Sequence, residues 1–253
     1  MSAHVALFVT CLVDVMRPRI GFAAIRALEA AGCTVVVPQG QTCCGQPALN
    51  SGDRAHAVAL AEQTIEALEP YEAVVVPSGS CAGTIRCHYP ELFDDDAAWQ
   101  LRAQAVAAKT FEVMAYLDEV CGWKPEGVAL PATATATYHD SCSGLRELGI
   151  KAQPRRLLKA VDGLSMTPLP GAETCCGFGG TFCVKYPAIS NAIVGEKTDA
   201  IDATGADLLL AGDLGCLMNM AGKLHRNGSK VRAFHAIELI AGMGDGPAIG
   251  EEA

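Results

Sequence analysis

The sequence predicts an α/β protein of two similar domains, each a mainly parallel sheet flanked by helices. Three observations predict it. Short β-branched runs alternate with helical patterns, that alternation occurs twice, and a cysteine pattern repeats in step with it. Strand alternating with helix implies parallel strands joined by right-handed crossovers. A chain of 253 residues has room for one large domain or for two of roughly 120–130 residues each.

In the first half, Val5–Thr10, Thr34–Val37 and Ala73–Val76 are β-branched runs bounded by Gly, Pro or Ser, the mark of short strands. Pro18–Ala31 and Asp53–Leu68 between them carry helical patterns. The Asp94-Asp95-Asp96 run precedes a helical stretch, Ala97–Val120, and reads as its solvated N-terminal cap rather than as a metal site. Gly122-Trp123-Lys124-Pro125-Glu126-Gly127 is a linker. The second half opens with strands at Thr133–His139, Leu164–Leu169 and Asp207–Ala211, and its helices fall near Gln153–Val161 and Pro187–Ala203. Residues 1–127 are therefore expected to form the first domain and 128–245 the second, related by approximate two-fold symmetry. Residues 246–253 are expected to be a flexible tail, within a Gly- and acid-rich end, Gly242–Ala253, that frays.

Half of the residues are hydrophobic and 19% are charged, as in a packed globule rather than a disordered chain. A net charge of −9 without a basic run argues against nucleic acid, whose backbone demands a basic footprint. The start, Met1 to Cys11, lacks the charged leader and apolar stretch of a signal peptide. No run of about 20 apolar residues is present to span a membrane. A cytoplasmic protein is expected.

Twelve cysteines dominate the composition. In a reducing compartment they point to metal binding or thiol chemistry rather than to disulfides, although some pack as ordinary small hydrophobes. Eight fall into two series: Cys11, Cys43-Cys44-Gly45, Cys81, and Cys142, Cys175-Cys176-Gly177, Cys216. Equivalent members lie 131, 132 and 135 residues apart, so the chain is an internal duplication. Each series follows the three strands of its half, which places the ligands at the carboxyl ends of strands, where open α/β folds build sites. They lie there or between the halves.

Adjacent cysteines on an extended strand face opposite ways, so both can face one centre only from a turn. Gly45 and Gly177 permit that turn by tolerating φ > 0 and let the backbone approach a bulky inorganic core. Four thiolates per half are the usual complement of a 4Fe–4S cluster. Zinc also takes four cysteines, but its structural sites commonly use paired short spacings such as Cys-x2-Cys. A disulfide between adjacent cysteines would be strained. Iron–sulfur clusters, one or two per chain, are the favoured reading, with zinc and thiol redox chemistry as alternatives.

The spacing Cys-x31-Cys-Cys-Gly-x35-Cys resembles the cysteine-rich CCG domain of heterodisulfide reductases and of glycolate oxidase iron–sulfur proteins. The stretches Gln41–Ala48, Pro77–Cys81, Tyr138–Gly149, Cys175–Phe182, Val184–Pro187 and Gly212–Asn219 are similar to the lactate-utilization branch of that family, over about Val5 to Gly242. The resemblance implies an iron–sulfur component of a multi-subunit system oxidising L-lactate to pyruvate. It implies two partners, a subunit with ferredoxin-type clusters and a third small lactate-utilization subunit. Cys11, Cys43, Cys44, Cys81, Cys142, Cys175, Cys176 and Cys216 carry over as iron ligands. The reductase branch ends each copy with Cys-x-x-Cys, whereas here Cys81 is followed by Ala82-Gly83-Thr84 and Cys216 by Leu217-Met218-Asn219. The fifth thiolate is absent in both copies, which favours electron relay over disulfide chemistry.

The remaining residues have two readings each. Cys33 and Cys121 are core or surface thiols, while Cys87 and Cys183 follow a motif cysteine closely enough to be supplementary ligands or bystanders. His139 and Asp140 precede Cys142, as a ligand or proton carrier or as groups satisfied at a strand end. Arg146 and Lys185 would neutralise an anionic cluster or substrate, or are surface charges. His139, Arg146 and Lys185 are thus the catalytic candidates. Gly177-Phe178-Gly179-Gly180 is no dinucleotide fingerprint, and no Walker loop is present, so hydride chemistry would need a partner or an unread site.

Overall fold

The computed structural model describes residues 4–251. Four short strands form the first sheet: β1 (His4–Leu7), β2 (Thr34–Val36), β3 (Ala73–Val76) and β4 (Thr110–Glu112). The second sheet holds β5 (Ala129–Tyr138), β6 (Asp162–Met166), β7 (Leu208–Ala211) and β8 (Arg232–His235). Strand order is β2-β1-β3-β4 in one and β6-β5-β7-β8 in the other, and every pairing is parallel. The duplication read from the cysteines is therefore also a duplication of topology.

Side chains alternate across each strand and divide the core into three. Val5, Leu7 and Val75 from one face of the first sheet join Ala136, Tyr138, Leu210 and Phe234 from one face of the second in a single cluster. The outer faces are separate: Ala6, Phe8, Val74 and Val76 pack with the helix Arg54–Leu68, and Leu209, Ala211 and Ala233 pack with the helix Leu214–Arg226. The two halves are thus joined by a shared apolar core. Their helix contacts are reciprocal as well. The helix Gly79–Gly83 packs on Cys142–Arg146, and its counterpart Leu214–Arg226 packs on Cys11–Met16. Reciprocity of this kind is what an approximate two-fold axis produces.

Several elements differ from the expectation. The stretch Ala97–Val120 is not one helix. Its helix Ala97–Ala108 ends at Lys109, β4 follows, and the chain resumes as Val113–Ala115 and a π-helical turn, Tyr116–Val120. A three-residue strand is too short to show a period, and Thr110 and Phe111 find their place only by pairing with Val74 and Val75. For the same reason β8, paired in register to β7, has no signal of its own. β1 ends at Leu7 rather than Thr10, and β5 begins at Ala129 rather than Thr133, because Ala129 already pairs with Asp162. The Asp run behaves as expected, with Asp96 accepting the N–H groups of Ala98 and Trp99.

The last described residues, up to Glu251, make specific contacts with both halves. Ala248 is buried, the Ile249 N–H donates to the Ala233 carbonyl at 2.9 Å, and Glu251 pairs with Arg232. Arg17 donates to the Pro247 carbonyl and Arg19 to the Met243 carbonyl. Arginines from both halves thus meet this segment's acceptors. Residues 252–253 lie outside the described ones. No helix of the described residues is long and apolar enough to cross a membrane.

Candidate metal centre

Each cysteine series converges as its place on the sheet requires. Cys11 opens the helix Cys11–Met16 just past β1, Cys44 is buried in the loop after β2, and Cys81 sits in the helix Gly79–Gly83 just past β3. In the second half Cys142 opens the helix Cys142–Arg146, and Cys216 lies in the first turn of Leu214–Arg226. Four of the eight thiols therefore occupy helix starts. Thr10, immediately before Cys11, is held at φ 74, a left-handed conformation that a β-branched residue adopts only under constraint.

The adjacent pair is presented by the glycine turn in both copies. Gly45 has φ 82 and Gly177 φ 80, and their N–H groups donate to Cys43 Sγ at 3.4 Å and Cys175 Sγ at 3.3 Å. The carbonyl of the second cysteine is satisfied by a different residue in each copy. Tyr89 Oη donates to the Cys44 carbonyl at 2.8 Å, and Asn219 Nδ2 to the Cys176 carbonyl at 2.8 Å.

The thiols form hydrogen-bonded chains. Cys43 accepts from Cys11 and Cys44, which lowers its thiol to about 2, while the same bonds and burial push Cys11 and Cys44 upward. Cys44 in turn bonds Cys81. The second group repeats this: Cys175, bonded by Cys142 and Cys176, falls to about 2, and Cys142 and Cys176 rise. Cys176 also bonds Cys216, whose burial and proximity to Asp213 outweigh that bond and raise it. One thiolate shared among neighbouring thiols is a donor set that a thiophilic metal centre fits, because metal replaces the shared protons.

The two centres differ in their surroundings. The first group lines a cavity of about 240 Å³ whose far wall comes from the second half, through Phe178, Thr181, Val184 and Leu214. The second group has buried polar neighbours instead. His139 is 1% exposed, and neither ring nitrogen makes a hydrogen bond of good geometry, the Ala172 carbonyl being the acceptor beside the ring. Burial first, and the Lys197 ammonium second, hold its pKa down at about 3. Lys197 is itself buried, donating to the Gly171 carbonyl at 2.5 Å, and burial lowers its pKa. Asp140 is clamped by Arg155 at 2.7 and 2.8 Å, and that guanidinium lies over the Tyr138 ring.

Among the catalytic candidates, only His139 lies buried beside the thiols. Lys185 is exposed and reaches Ser51 Oγ at 3.3 Å, and Arg146 is exposed near Glu173. Cys87 contacts the Glu147 carbonyl and Cys183 the Gly180 carbonyl, and neither belongs to a thiol chain. Cys33 and Cys121 lie side by side, Sγ to Sγ 3.9 Å, and belong to neither chain. Sequence reasoning missed Lys197 and Asp213. Lys197 had a readable signal, since it falls in one helical stripe with Ser190, Val194 and Ile201, all buried. A larger cavity, about 890 Å³, opens at the amino edge of the second sheet and is lined by no cysteine.

This arrangement defines a duplicated, cysteine-rich α/β protein. The cysteine-rich domain family, CCG, matches twice, over residues 5–86 and 136–221. The lactate utilization protein A of Exiguobacterium sp. is 47% identical over 239 residues, 94% of this chain and 96% of that protein. Those of Macrococcus caseolyticus and Shouchella clausii are 48% and 46% identical, over 93% and 94% of this chain and 95% and 98% of their own lengths. The chain belongs to the lactate utilization protein A family of cysteine-rich CCG-domain proteins. Its fold is also similar to a crystal structure of a hypothetical protein from Helicobacter pylori, with a TM-score of 0.66 at 13% identity. That likeness covers 99% of this chain and half of the other.

Proposed function

We propose that the chain is an iron–sulfur electron-transfer component of a multi-subunit system oxidising L-lactate to pyruvate. The observation that carries this reading is the doubled gathering of four thiols, from three separate segments, at the carboxyl edge of each sheet. Cys11, Cys43, Cys44 and Cys81 would hold one 4Fe–4S cluster, and Cys142, Cys175, Cys176 and Cys216 a second. Such a cluster, when bound, takes up and releases single electrons. The chain's own groups set how readily: N–H donors from Gly45 and Gly177 to cysteine sulfur stabilise the reduced state. Burial of Cys44, Cys176 and Cys216 excludes water from the sulfurs. The substrate is inferred from the relatives' name. Hydride chemistry and lactate binding then fall to partners, a subunit with ferredoxin-type clusters and a third small subunit.

Anaerobic purification with iron, sulfide and zinc analysis tests this. Iron and sulfide in about equal amounts, with visible thiolate-to-iron absorption, are expected, and Cys44→Ser and Cys176→Ser should each lose about half of the iron. If only the second variant loses iron, the first copy is a scaffold. Stoichiometric zinc without iron would overturn the proposal. A second reading, direct action of the first centre on substrate, is favoured by the cavity above Cys11, Cys43, Cys44 and Cys81. A spin-resonance signal of the isolated chain that lactate perturbs would select it.

A further inference from the structure

The two centres are equivalent in their cysteines but not in the residue at the end of their first strand. Phe8 N–H donates to the Val75 carbonyl at 2.9 Å, and His139 N–H donates to the Leu210 carbonyl at 2.9 Å. These bonds occupy the same place in the two sheets, so Phe8 and His139 are structural equivalents. Phe8 is 1% exposed and packs in the apolar cluster with Val74 and Val76. His139 is as deeply buried, yet neither ring nitrogen makes a hydrogen bond of good geometry, the Ala172 carbonyl being the acceptor beside the ring. A buried imidazole without a well-made hydrogen bond is costly, roughly 1–3 kcal/mol per unmet group.

A ring nitrogen of His139 and the Sγ atoms of Cys176 and Cys216 all lie within 4.8 Å of one another. Among the described residues no other His, Cys, Asp or Glu group meets that spacing. Lys197, held against the Gly171 and Ala172 carbonyls, flanks the same sulfurs. The fifth thiolate position is filled by Asn219, whose side chain is turned to the Cys176 carbonyl and is not a donor to metal.

We propose that His139 is a nitrogen ligand of the second centre, giving it four cysteines and one imidazole, a set that the first centre cannot assemble. This rests on the iron–sulfur reading above. A neutral imidazole adds donor capacity without adding negative charge, so the second centre has the higher reduction potential than the same centre with a thiolate there. The two copies are then unlike centres, one held by four thiolates and the other by four thiolates and an imidazole.

Pulsed spin-resonance spectroscopy of the iron-loaded chain, grown with nitrogen-15 histidine, tests the proposal. The Cys44→Ser background leaves the second centre to be observed alone, and it is brought to its paramagnetic state by chemical reduction or oxidation. A strong nitrogen coupling that changes with the label is expected. It should vanish in His139→Phe, which installs the first copy's residue. An optical redox titration gives the second readout: His139→Cys should keep its iron and shift the midpoint to lower potential. Iron present with no labelled coupling, or with the midpoint unmoved by His139→Cys, overturns the ligand assignment and leaves the iron–sulfur reading intact. A chain that binds no iron overturns both.

Discussion

Ser78 and Asp213 hold the same position in the two copies, three residues before Cys81 and Cys216, and they are hydrogen-bonded to each other. Ser78 Oγ donates to Asp213 Oδ2 at 3.3 Å, and the Ser80 N–H donates to the same oxygen at 2.9 Å. Ser78 also accepts the Cys81 N–H. One contact between the halves therefore steadies the helix start that carries a first-centre cysteine. Asp213 is buried, and burial raises its pKa. Asp213→Ala should destabilise the chain by about 1–3 kcal/mol, since two donors lose their acceptor. Ser78→Ala and Asp213→Ala combined should depart from additivity by about 0.5–3 kcal/mol in urea unfolding. Strict additivity would show that the halves are docked by apolar contacts alone.

Glu112 supplies a pH dependence. It caps the chain after β4, with Oε2 accepting the Met114 and Ala115 N–H groups, while Oε1 has no partner. Burial raises its pKa to about 8, against those two hydrogen bonds and with help from Asp213. The folded state thus prefers the protonated acid. Its contribution to stability is complete below the ordinary glutamate pKa of about 4.3 and is lost as pH rises toward the folded value. Between those limits the slope approaches about 1.4 kcal/mol per pH unit. Glu112→Gln keeps the cap acceptor and should flatten this decline. Denaturation midpoints at several pH values would check it, and a variant with the parent's slope would refute the assignment.

The glycine turns should differ in tolerance. Alanine at either turn meets the left-handed penalty of about 1–2 kcal/mol. A Cβ at Gly177 would also stand 2.7 Å from the Ser190 carbonyl oxygen, whereas at Gly45 the nearest atoms are at 3.4 Å. Gly177→Ala should lower stability and iron retention more than Gly45→Ala does. Equal losses would mean that the backbone angle alone matters.

Two hydrogen bonds to cysteine carbonyls allow each centre to be perturbed separately. Tyr89→Phe leaves the Cys44 carbonyl unpaired, and Asn219→Leu does the same at Cys176. Each should cost about 1–3 kcal/mol. Iron loss should be confined to the first centre for Tyr89→Phe and to the second for Asn219→Leu, read from iron content in the Cys176→Ser and Cys44→Ser backgrounds. Loss at the opposite centre would contradict the pairing.

By itself the sequence determined the duplication, the α/β class and, to within a few residues, the strands β1, β2, β3, β5, β6 and β7, because these are local facts. Regular cysteine offsets, β-branched runs and glycines flanking a cysteine pair are properties of neighbouring residues, and physics reads them without the rest of the chain. The strands β4 and β8 were decided by tertiary structure, since three or four residues gain their pairing only when β3 and β7 are already in place. So were the contacts of the last residues, since composition says nothing about the arginines that meet them. The difference between the two centres is the clearest case. The letters show a Phe in one copy and a His in the other. Only the fold brings that imidazole, buried and without a well-made hydrogen bond, against Cys176 and Cys216 and sets Lys197 beside them. Burial and unmet hydrogen bonds are properties of a packed interior, and no local stretch of sequence contains one.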